Sequence, residues 1–393
     1  MNILLLHPVS GWSLQRVSQL CLDNCWRLTI ITIESSTVGK DCNGLHEWLR
    51  VPALTDDPLE LRRQIGDRRF DAVVAGNEFA VIAADVLAAE LGLYHNRLDR
   101  IRSSRNKALM RVAFAEKQIP QPRVLAVLAS LDESRDLDWT KISFPVIVKP
   151  VDMAMSLFVR KCDTRQQVED TLEKIFLFKH SRLTNYAFTA QALIEEFAEG
   201  QEYSLEGVIE QGSLVHRVLT TKFVSPLPAC YEVGHISGEE VPPQHDAALS
   251  QICERIAQCW GMRSGVIHLE FKMTAQQLWV IEAAARAPGC HIPELVELRH
   301  GYSIEEAFVR LRAGLPWRDG TPFTKAPGWV GIRFSFLDQR SLEITDDLEV
   351  LTEHHDAAEA LPGAEAYSVN QRTGYAIVRS ASFESISRFV GKL

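Results

Sequence analysis

The sequence predicts an α/β (α+β) fold with more than one domain. Over the first part of the chain, apolar β-branched runs alternate with helical patterns, which is typical of a small parallel sheet. Farther along, pairs of apolar runs are separated by short polar turns, as in antiparallel hairpins. A chain of 393 residues is also too long for one ordinary hydrophobic core, so two or three domains are expected.

Local patterns give the order of the elements. The first part is predicted to contain strands at 3–6, 28–33 and 72–75 and helices at 14–22 and 78–91. It contains no Gly-x-Gly-x-x-Gly, so a dinucleotide site is not predicted. The middle is predicted to contain helices at 106–117, 164–178, 245–260 and 303–312 and strands at 144–149, 193–196, 201–209 and 213–220. The segment after residue 316 is predicted to be rich in strands.

Composition and charge argue against several kinds of partner. The chain has 42 Lys and Arg against 51 Asp and Glu, and a net charge of −9 is unsuited to nucleic acid or an anionic membrane surface. No apolar run is long enough to span a bilayer, and the N-terminal run is too short for a signal peptide. The eight cysteines lack C-x-x-C and zinc-type spacing. Reduced thiols and a cytoplasmic location are therefore expected.

Two carboxylates stand in an apolar hairpin between residues 265 and 289. The runs around Glu270 and Glu282 are predicted strands, and the polar residues 274–277 between them are the predicted turn. This pairing places Glu270 opposite Glu282, where like charges are destabilising unless a cation or a shared proton is present. The alternative is that one of the two acids faces water.

Other charged residues in the middle of the chain suit phosphoryl transfer. Lys149 ends an apolar strand and is held there by Pro150, a position that favours contact with an anion. Arg286 lies just past the end of the strand that carries Glu282 and can grip carboxylate or phosphate. Taken singly, each is more often an ordinary solvated residue. The P-loop, Gly-x-Ser-x-Gly and His-Glu-x-x-His motifs are absent.

Five motifs in this order resemble the ATP-grasp superfamily over nearly the whole chain. They are Asn106-Lys107, FPVIVKP (144–150), IEEFAEGQEYSLEG (194–207), HLEF (268–271) and IEAAARAPG (281–289). The resemblance implies an ATP-grasp fold with three parts. They are an N-terminal parallel-sheet (pre-ATP-grasp) domain at 1–100, an ATP-grasp domain at 101–315 with a lid subdomain at about 119–190, and a C-terminal β-rich segment at 316–393.

The resemblance also implies ATP as a cofactor and a set of residues that bind it. Lys107 and Lys149 resemble the lysines that hold the nucleotide phosphates, and Glu202 resembles the acid that binds the ribose hydroxyls. The adenine is expected at the hinge strand, which comprises Glu195, Glu196, Phe197 and Ala198. There the carbonyl of Glu196 and the amide of Ala198 are expected to contact the base edge.

Mg²⁺ is the second implied cofactor, with Glu270 and Glu282 as its ligands. Arg286 resembles the arginine that steadies an acyl phosphate, and Lys149 is expected to draw charge from the transferred phosphoryl group. Lys222 is a third candidate catalytic residue, expected to touch the γ-phosphate or the acyl phosphate. The alternative for Lys222 is a surface lysine, which is nearly as well supported by the sequence.

Two features depart from the family pattern. The usual Glu-x-Asn is Glu282-Ala283-Ala284 here, so one metal ligand is missing. The loop after Lys149 reads VDMAMSLFV (151–159) and lacks glycine, which makes positive φ angles less accessible. The absence of glycine affects how tightly the loop can hold phosphate or how freely it can move. It does not by itself imply an inactive enzyme.

Within the superfamily, the motifs are most similar to those of L-amino acid (dipeptide) ligases. CYEVGH (230–235) and GCHIPELVE (289–297) carry this likeness together with EAAAR. Glu232 and His235 are expected near a substrate amino group, although a loop histidine bonded to backbone is equally compatible. Cys290 is expected to line the acyl-donor pocket as a packing residue, because no general base for a nucleophile is evident.

The expected function is therefore ATP-dependent ligation of a carboxylate to an amine through an acyl phosphate, with release of ADP and phosphate. Small-molecule carboxylate and amine substrates are the expected partners, together with a possible homodimer. Three alternatives stay open at this point. They are a biotin-carboxylase-like enzyme, a purine-biosynthesis-type enzyme and a catalytically silent nucleotide-binding subunit.

Overall fold

The computed structural model describes residues 1–39, 46–181, 185–318, 320, 322–336, 344–355 and 371–392. Within them lie one parallel sheet and two antiparallel sheets, which confirms the α/β (α+β) prediction. Among the described helices, none is both long and apolar enough to cross a membrane.

The N-terminal unit is a four-stranded parallel sheet flanked by helices. Its elements are β1 (Asn2–Leu6), α1 (Gly11–Asp23), β2 (Arg27–Ile33), β3 (Glu47–Val51), α2 (Pro58–Ile65), β4 (Ala72–Ala75) and α3 (Val81–Glu90). The strand order is β3-β2-β1-β4. The predicted strands are confirmed, whereas β3 and α2 were not predicted. Asp57 caps α2 by accepting from the amides of Leu59 and Glu60, with Pro58 at the first helical position, so a start signal was present.

The predicted helix at 78–91 is split in two. Residues Glu78–Ala80 form a 3₁₀ turn, and α3 begins at Val81. The Asn77 side chain accepts from the amides of Phe79 and Ala80 and so fixes the start of the turn. Because of this break, Glu78 lies outside α3, and it lines the cleft that is described below.

A helix and a small sheet follow. The helix α4 (Lys107–Glu116) is capped by Asn106, whose side chain accepts from the amide of Leu109. The small sheet, called the lid sheet here, has the order β5-β8-β6-β7. Its elements are β5 (Val124–Leu128), α5 (Leu131–Arg135), β6 (Val146–Pro150), β7 (Arg160–Cys162), α6 (Arg165–Leu177) and β8 (Ala192–Glu196).

The lid sheet has its own apolar core. Val146, Val148 and Ile194 of the sheet pack against Leu172 and Ile175 of α6, and all five side chains are buried. Because β8 lies between β5 and β6, the sheet extends beyond the predicted lid boundary at residue 190. The domain boundaries themselves stay predictions.

The large sheet has eight antiparallel strands in the order β13-β12-β9-β10-β11-β14-β16-β15. Its strands are β9 (Gln201–Glu210), β10 (Ser213–Val224), β11 (Glu232–Ser237), β12 (Gly265–Met273), β13 (Leu278–Ala284), β14 (Trp329–Phe336), β15 (Glu349–His355) and β16 (Arg372–Ser380). Its helices are α7 (Pro243–Trp260), α8 (Ile292–His300), α9 (Ile304–Arg312) and α10 (Phe383–Gly391). Gly261 ends α7 in the left-handed conformation with φ 63°, which glycine adopts without a steric penalty.

The largest core cluster joins α4 and α7 to the concave part of the large sheet. Trp260 of α7, Phe114 of α4 and Phe271 of β12 are fully buried in this cluster. Burial of such aromatic side chains stabilises a fold by about 1.5–3 kcal/mol each. This packing holds β12 and β13 rigidly at the edge of the sheet, where their carboxylates face the cleft.

Candidate active site

A cleft lies between the lid sheet and the large sheet, and Glu78 of the N-terminal unit also lines it. Among the described residues that line it are most of the predicted site residues, namely Lys107, Lys149, Glu195, Glu196, Phe197, Ala198, Glu202, Glu232, Glu270, Glu282 and Arg286. Lys222, His235 and Cys290 are not among the lining residues. The fold therefore brings together side chains that are far apart in the sequence.

The carboxylate hairpin is confirmed by the strand register. Glu270 of β12 and Glu282 of β13 are direct cross-strand partners. Thr274 closes the turn at the predicted place, where its hydroxyl accepts from the amide of Gln277. Both carboxylates line the cleft, and their side chains keep 22% and 25% of their surface exposed, respectively. Neither acid is turned away from the cleft, so the alternative in which one faces bulk water is wrong.

Each carboxylate of this hairpin has cationic neighbours. The ammonium of Lys107 lies 2.9 Å from Oε1 of Glu282. Oε1 of Glu270 lies 2.8 Å from the ammonium of Lys222 and 3.1 Å from Nε2 of His268. Burial alone would raise the pKa of Glu270, but Lys222 and the hydrogen bond from His268 lower it. Glu270 therefore stays ionised.

His268 was not singled out from the sequence. Its ring bridges two acids, with Nδ1 2.8 Å from Oε2 of Glu206 and Nε2 facing Glu270. Burial opposes its protonation, yet the charge of Glu206 and the hydrogen bonds to both acids raise the pKa of His268 to about 9. The ring is thus an imidazolium at neutral pH, and it adds positive charge next to the hairpin.

Lys222 lies beneath the carboxylates and not at the surface. Its ammonium contacts Glu232 at 2.7 Å, Glu270 at 2.8 Å and Glu202 at 3.5 Å. Its side chain is buried in β10, which continues to Val224, so the surface-lysine alternative is wrong. Burial would lower the pKa of Lys222, but the three carboxylates raise it well above the usual value. Contact with a phosphate stays a prediction for this residue.

A second ionic group lies on the lid side of the cleft. Glu195 of β8 is paired with Lys149 of β6 and with Arg111 of α4, whose Nε donates at 2.9 Å. The Glu195 side chain is only 2% exposed, so it serves as a buried counter-ion. Arg111 also donates to the carbonyl of Ile281 on β13 at 2.8 Å. Both oxygens of Glu195 are held by the two cations, and its part in ATP binding stays a prediction.

The rest of the hinge strand borders the cleft. The amide of Glu196 donates to the carbonyl of Arg123 at 3.0 Å, and its carboxylate pairs with the same arginine. Lys272 lies over the ring of Phe197, 4.9 Å from its centroid. Adenine recognition by the backbone at 196–198 stays a prediction.

Arg286 is held by a carboxylate that the sequence did not reveal. Its Nε donates to Oε2 of Glu78, and its Nη1 donates to the carbonyl of Ala287 at 2.8 Å. Glu78 comes from the N-terminal unit, and its other oxygen accepts from Nη1 of Arg105 at 2.6 Å. Arg286 is thus held by a residue of the N-terminal unit, which is separate from the hairpin that precedes Arg286 in the sequence.

Glu232, which lines the cleft, forms a compact group with His235 and Cys290, whose ligand atoms all lie within 4.8 Å of one another. His235 is fully buried in β11, so the loop-histidine alternative is wrong. Burial lowers the pKa of His235 even though Glu232 opposes the shift. Burial likewise raises the pKa of Cys290 to about 11, which leaves a thiol that accepts from Nη1 of Arg372 at 3.5 Å. This agrees with a packing role and not with a nucleophile.

The glycine-free loop after β6 does adopt left-handed conformations. Met155, Ser156 and Phe158 have φ angles of 62°, 53° and 58°. The loop therefore reaches positive φ angles without glycine. Each such residue carries an energetic cost of about 1 kcal/mol or more. Ala154 and Ser156 line the cleft, as a phosphate-covering loop requires.

The residues present fit a nucleotide and a divalent metal. Glu270 and Glu282 supply the hard carboxylate oxygens that Mg²⁺ prefers, and the described contacts of each reach only Oε1. Lys107 and Lys149 add positive charge to the same cleft. Ala284 is buried and offers no ligand oxygen, so Glu282 has no amide partner in metal binding.

Comparison with known proteins agrees with this geometry. Residues 142–294 match the model of the ATP-grasp domain family. Dapdiamide A synthase of Enterobacter agglomerans is 26% identical over 249 residues, which cover 62% of this chain and 57% of that protein. The match thus spans little more than half the length of that curated relative.

Two solved structures share the fold along almost their entire length. The L-amino acid ligase from Bacillus licheniformis has a TM-score of 0.75 at 18% identity, covering 99% of this chain and 95% of the other. The N5-carboxyaminoimidazole ribonucleotide synthetase from Thermus thermophilus has a TM-score of 0.67 at 14% identity, covering 100% and 99%. Residues 142–294 therefore belong to the ATP-grasp domain family, and the chain has the ATP-grasp fold.

Proposed function

We propose that this protein is an ATP-dependent carboxylate–amine ligase that joins an amino acid, or a similar carboxylate, to an amine. The observation that carries the proposal is the convergence of the hairpin carboxylates Glu270 and Glu282 with Lys107, Lys149 and Arg286 in one cleft. Carboxylates for a metal and cations for phosphate are what phosphoryl transfer to a carboxylate requires. The curated relative is named a dapdiamide A synthase and the first of the two solved structures an L-amino acid ligase, which supports the same reaction class.

In this proposal, Glu270 and Glu282 hold Mg²⁺, which neutralises charge on the nucleotide phosphates. Lys107 and Lys149, which both line the cleft, bind the phosphates. Arg286 orients the acyl phosphate formed when the substrate carboxylate takes the γ-phosphoryl group of ATP. These residues act by positioning and by electrostatic stabilisation, which supply most of the catalysis in phosphoryl transfer.

The second half of the reaction is attack by the amine on the acyl phosphate carbonyl, with loss of phosphate. Glu232 borders the cleft beside Lys222 and is ionised, so its carboxylate suits the ammonium group of an amino acid substrate. The loop at 151–159 covers the reacting groups and limits hydrolysis of the acyl phosphate. A homodimer and a cytoplasmic location stay predictions that accompany this function.

The test is a phosphate-release assay with Mg-ATP and a panel of single amino acids and amino acid pairs, followed by mass spectrometry of the products. The proposal expects release that needs two substrates and a product mass equal to their sum minus one water. Release with bicarbonate as the added carboxyl donor would support the carboxylase alternatives instead.

A silent nucleotide-binding subunit is the second candidate, because Ala284 supplies no ligand two residues after Glu282. That candidate expects tight binding of Mg-ATP without release of phosphate in any mixture. Isothermal titration with Mg-ATP beside the release assay separates it from the ligase.

A further inference from the structure

Glu78 is the one residue of the N-terminal unit among the residues described as lining the cleft. It follows β4 through a tight turn at Gly76, where an added Cβ would lie 2.7 Å from the carbonyl oxygen of Leu6. The Asn77 cap then fixes the 3₁₀ turn that begins at Glu78. These constraints set the direction of the Glu78 side chain, which is buried. Its position is therefore defined by the N-terminal unit and not by the hairpin that it contacts.

The carboxylate of Glu78 ties three parts of the chain together. Oε2 accepts from Nε of Arg286, just beyond β13, and Oε1 accepts from Nη1 of Arg105, directly before α4. Arg105 in turn donates to the carbonyl of Asp152 in the loop after β6 at 2.8 Å. Burial opposes ionisation of Glu78, but Arg286 and Arg105 lower its pKa to about 2. The group is thus a fixed negative charge throughout the physiological range.

The hydrogen bonds that Arg286 makes leave one edge of its guanidinium available to a ligand in the cleft. Nε is held by Glu78 and Nη1 by the carbonyl of Ala287, whereas none of the described contacts uses Nη2. A free arginine side chain has about 2 kcal/mol of rotamer entropy, so it does not hold one direction unaided. Two anchored nitrogens fix both the plane of the guanidinium and the direction in which Nη2 points. Glu78 is the carboxylate that anchors the Nε side of the guanidinium.

We propose that Glu78 is a positioning residue of the ligase site, which holds the Arg286 guanidinium in the orientation that meets the acyl phosphate. The inference rests on the proposed function, and it makes the N-terminal unit part of the catalytic arrangement. It does not make Glu78 a ligand, because both of its oxygens are taken by arginines.

The variant Glu78→Gln tests this role, because it keeps the size of the side chain and removes the charge. We expect kcat to fall about 10–100-fold, the range typical when a group that orients a site residue is removed. The KM for ATP and the affinity for ADP are expected to change less than about threefold, since Lys107 and Lys149 keep their contacts. A split between kcat and KM is a result that general loosening of the fold does not produce.

Asp85→Asn is the matched control. Asp85 is a buried carboxylate of the same unit, and it pairs with Nη1 of Arg312 on α9 at 2.6 Å, away from the cleft. If Glu78 serves only to dock the N-terminal unit, the two variants should lose similar stability and similar activity. The proposal instead expects comparable losses in the free energy of unfolding, with a loss of kcat in Glu78→Gln alone.

Two further readouts keep the inference separate from the proposed function. In an Arg286→Lys background, Glu78→Gln should lower kcat little further, and fully additive losses would overturn the inference.

Crystal structures of the wild type and of Glu78→Gln with ADP report on Arg286 even if no substrate pair is turned over. A changed or multiple Arg286 conformation is expected in the variant. An unchanged single conformation would overturn the inference, whereas absence of turnover in the wild type would overturn only the ligase proposal.

Discussion

The two walls of the cleft carry carboxylates in contrasting environments. On the lid side, the sealed cluster (Arg111, Lys149 and Glu195) has an acid that is 2% exposed and two cations that hold its oxygens. On the sheet side, the open pair (Glu270 and Glu282) has two acids that face each other and remain 22% and 25% exposed. All of these residues except Arg111 line the same cleft.

The difference separates a structural role from a chemical one. A fully paired buried acid has no oxygen left for a ligand, and its removal leaves two unmatched buried cations. Two acids that are direct cross-strand neighbours repel each other, which is tolerated where a cation is bound during function. We therefore expect substitutions in the open pair to change activity and substitution of Glu195 in the sealed cluster to change stability.

The largest expected effect is on activity in the open pair. Glu282→Gln should lower ligase turnover about 1,000-fold or more, because one metal-binding charge is lost where the transferred phosphoryl group needs it. The free energy of unfolding should change little, because the repulsion between Glu270 and Glu282 and the ion pair of Glu282 with Lys107 are lost together. The exposed loop variant Glu199→Gln is the control and should keep normal turnover. Normal turnover in Glu282→Gln would place the metal elsewhere.

The largest expected effect on stability is in the sealed cluster. Glu195→Gln leaves Arg111 and Lys149 without their buried counter-ion and should lower the free energy of unfolding by about 3–5 kcal/mol. Urea unfolding measures this loss. Asp132→Asn breaks a fully solvated pair of the same lid sheet region and should change stability by less than about 1 kcal/mol. Equal effects in the two variants would remove the distinction between sealed and exposed pairs.

Sequence patterns predict the open pair better than the sealed cluster, for a physical reason. Register in a hairpin depends on a period of two and on a local turn, both of which are visible between Glu270 and Glu282. Arg111 meets Glu195 across 84 residues of sequence, and Arg286 meets Glu78 across 208. Such contacts depend on how whole units pack against each other, so no local sequence pattern predicts them.

The same reasoning explains which elements of the fold were predicted. Strands β1, β2 and β4 are continuous apolar runs, whereas β3 is an edge strand with exposed polar residues and was missed. Strand β11 was missed because Glu232, Gly234 and His235 interrupt its apolar pattern. His235 and Glu232 are tolerated there because Lys222 of the neighbouring strand supplies a charge.

A pH titration sharpens the comparison by isolating His268, which faces the open pair. Its pKa is raised from 6.5 to about 9, so its stabilising effect is complete below pH 6.5 and is lost as the pH rises toward 9. The free energy of unfolding of the metal-free protein should fall over this interval with a slope of up to about 1.4 kcal/mol per pH unit. His268→Gln should lack this contribution to the slope.

His216 is the matched control for that titration. Burial lowers its pKa to about 4, so its effect on stability appears only as the pH falls from 6.5 toward 4. His216→Gln should leave the slope between pH 6.5 and 9 as it is in the wild type. A wild-type protein whose stability is constant over that interval would show that His268 is not held as an imidazolium.

The smallest expected effect lies in the loop that covers the open side of the cleft. Ser156 has a φ of 53°, so Ser156→Gly should relieve backbone strain and stabilise the protein by at most about 1 kcal/mol. Ala154→Gly in the same loop should destabilise by about 0.5–1 kcal/mol, because glycine gains freedom in the unfolded chain without relief of strain. Thermal unfolding of the two variants should shift in opposite directions, and shifts of the same sign would contradict this account of the loop.

The most direct test of the ligase claim follows an oxygen atom. Once a substrate pair is identified, the carboxylate substrate is labelled with ¹⁸O, and the phosphate released from Mg-ATP is analysed by ³¹P NMR. Transfer of the γ-phosphoryl group to the carboxylate, followed by attack of the amine, predicts one carboxylate oxygen in each phosphate released with the amide product. Amide formation with unlabelled phosphate would contradict an acyl phosphate and the role assigned to Arg286.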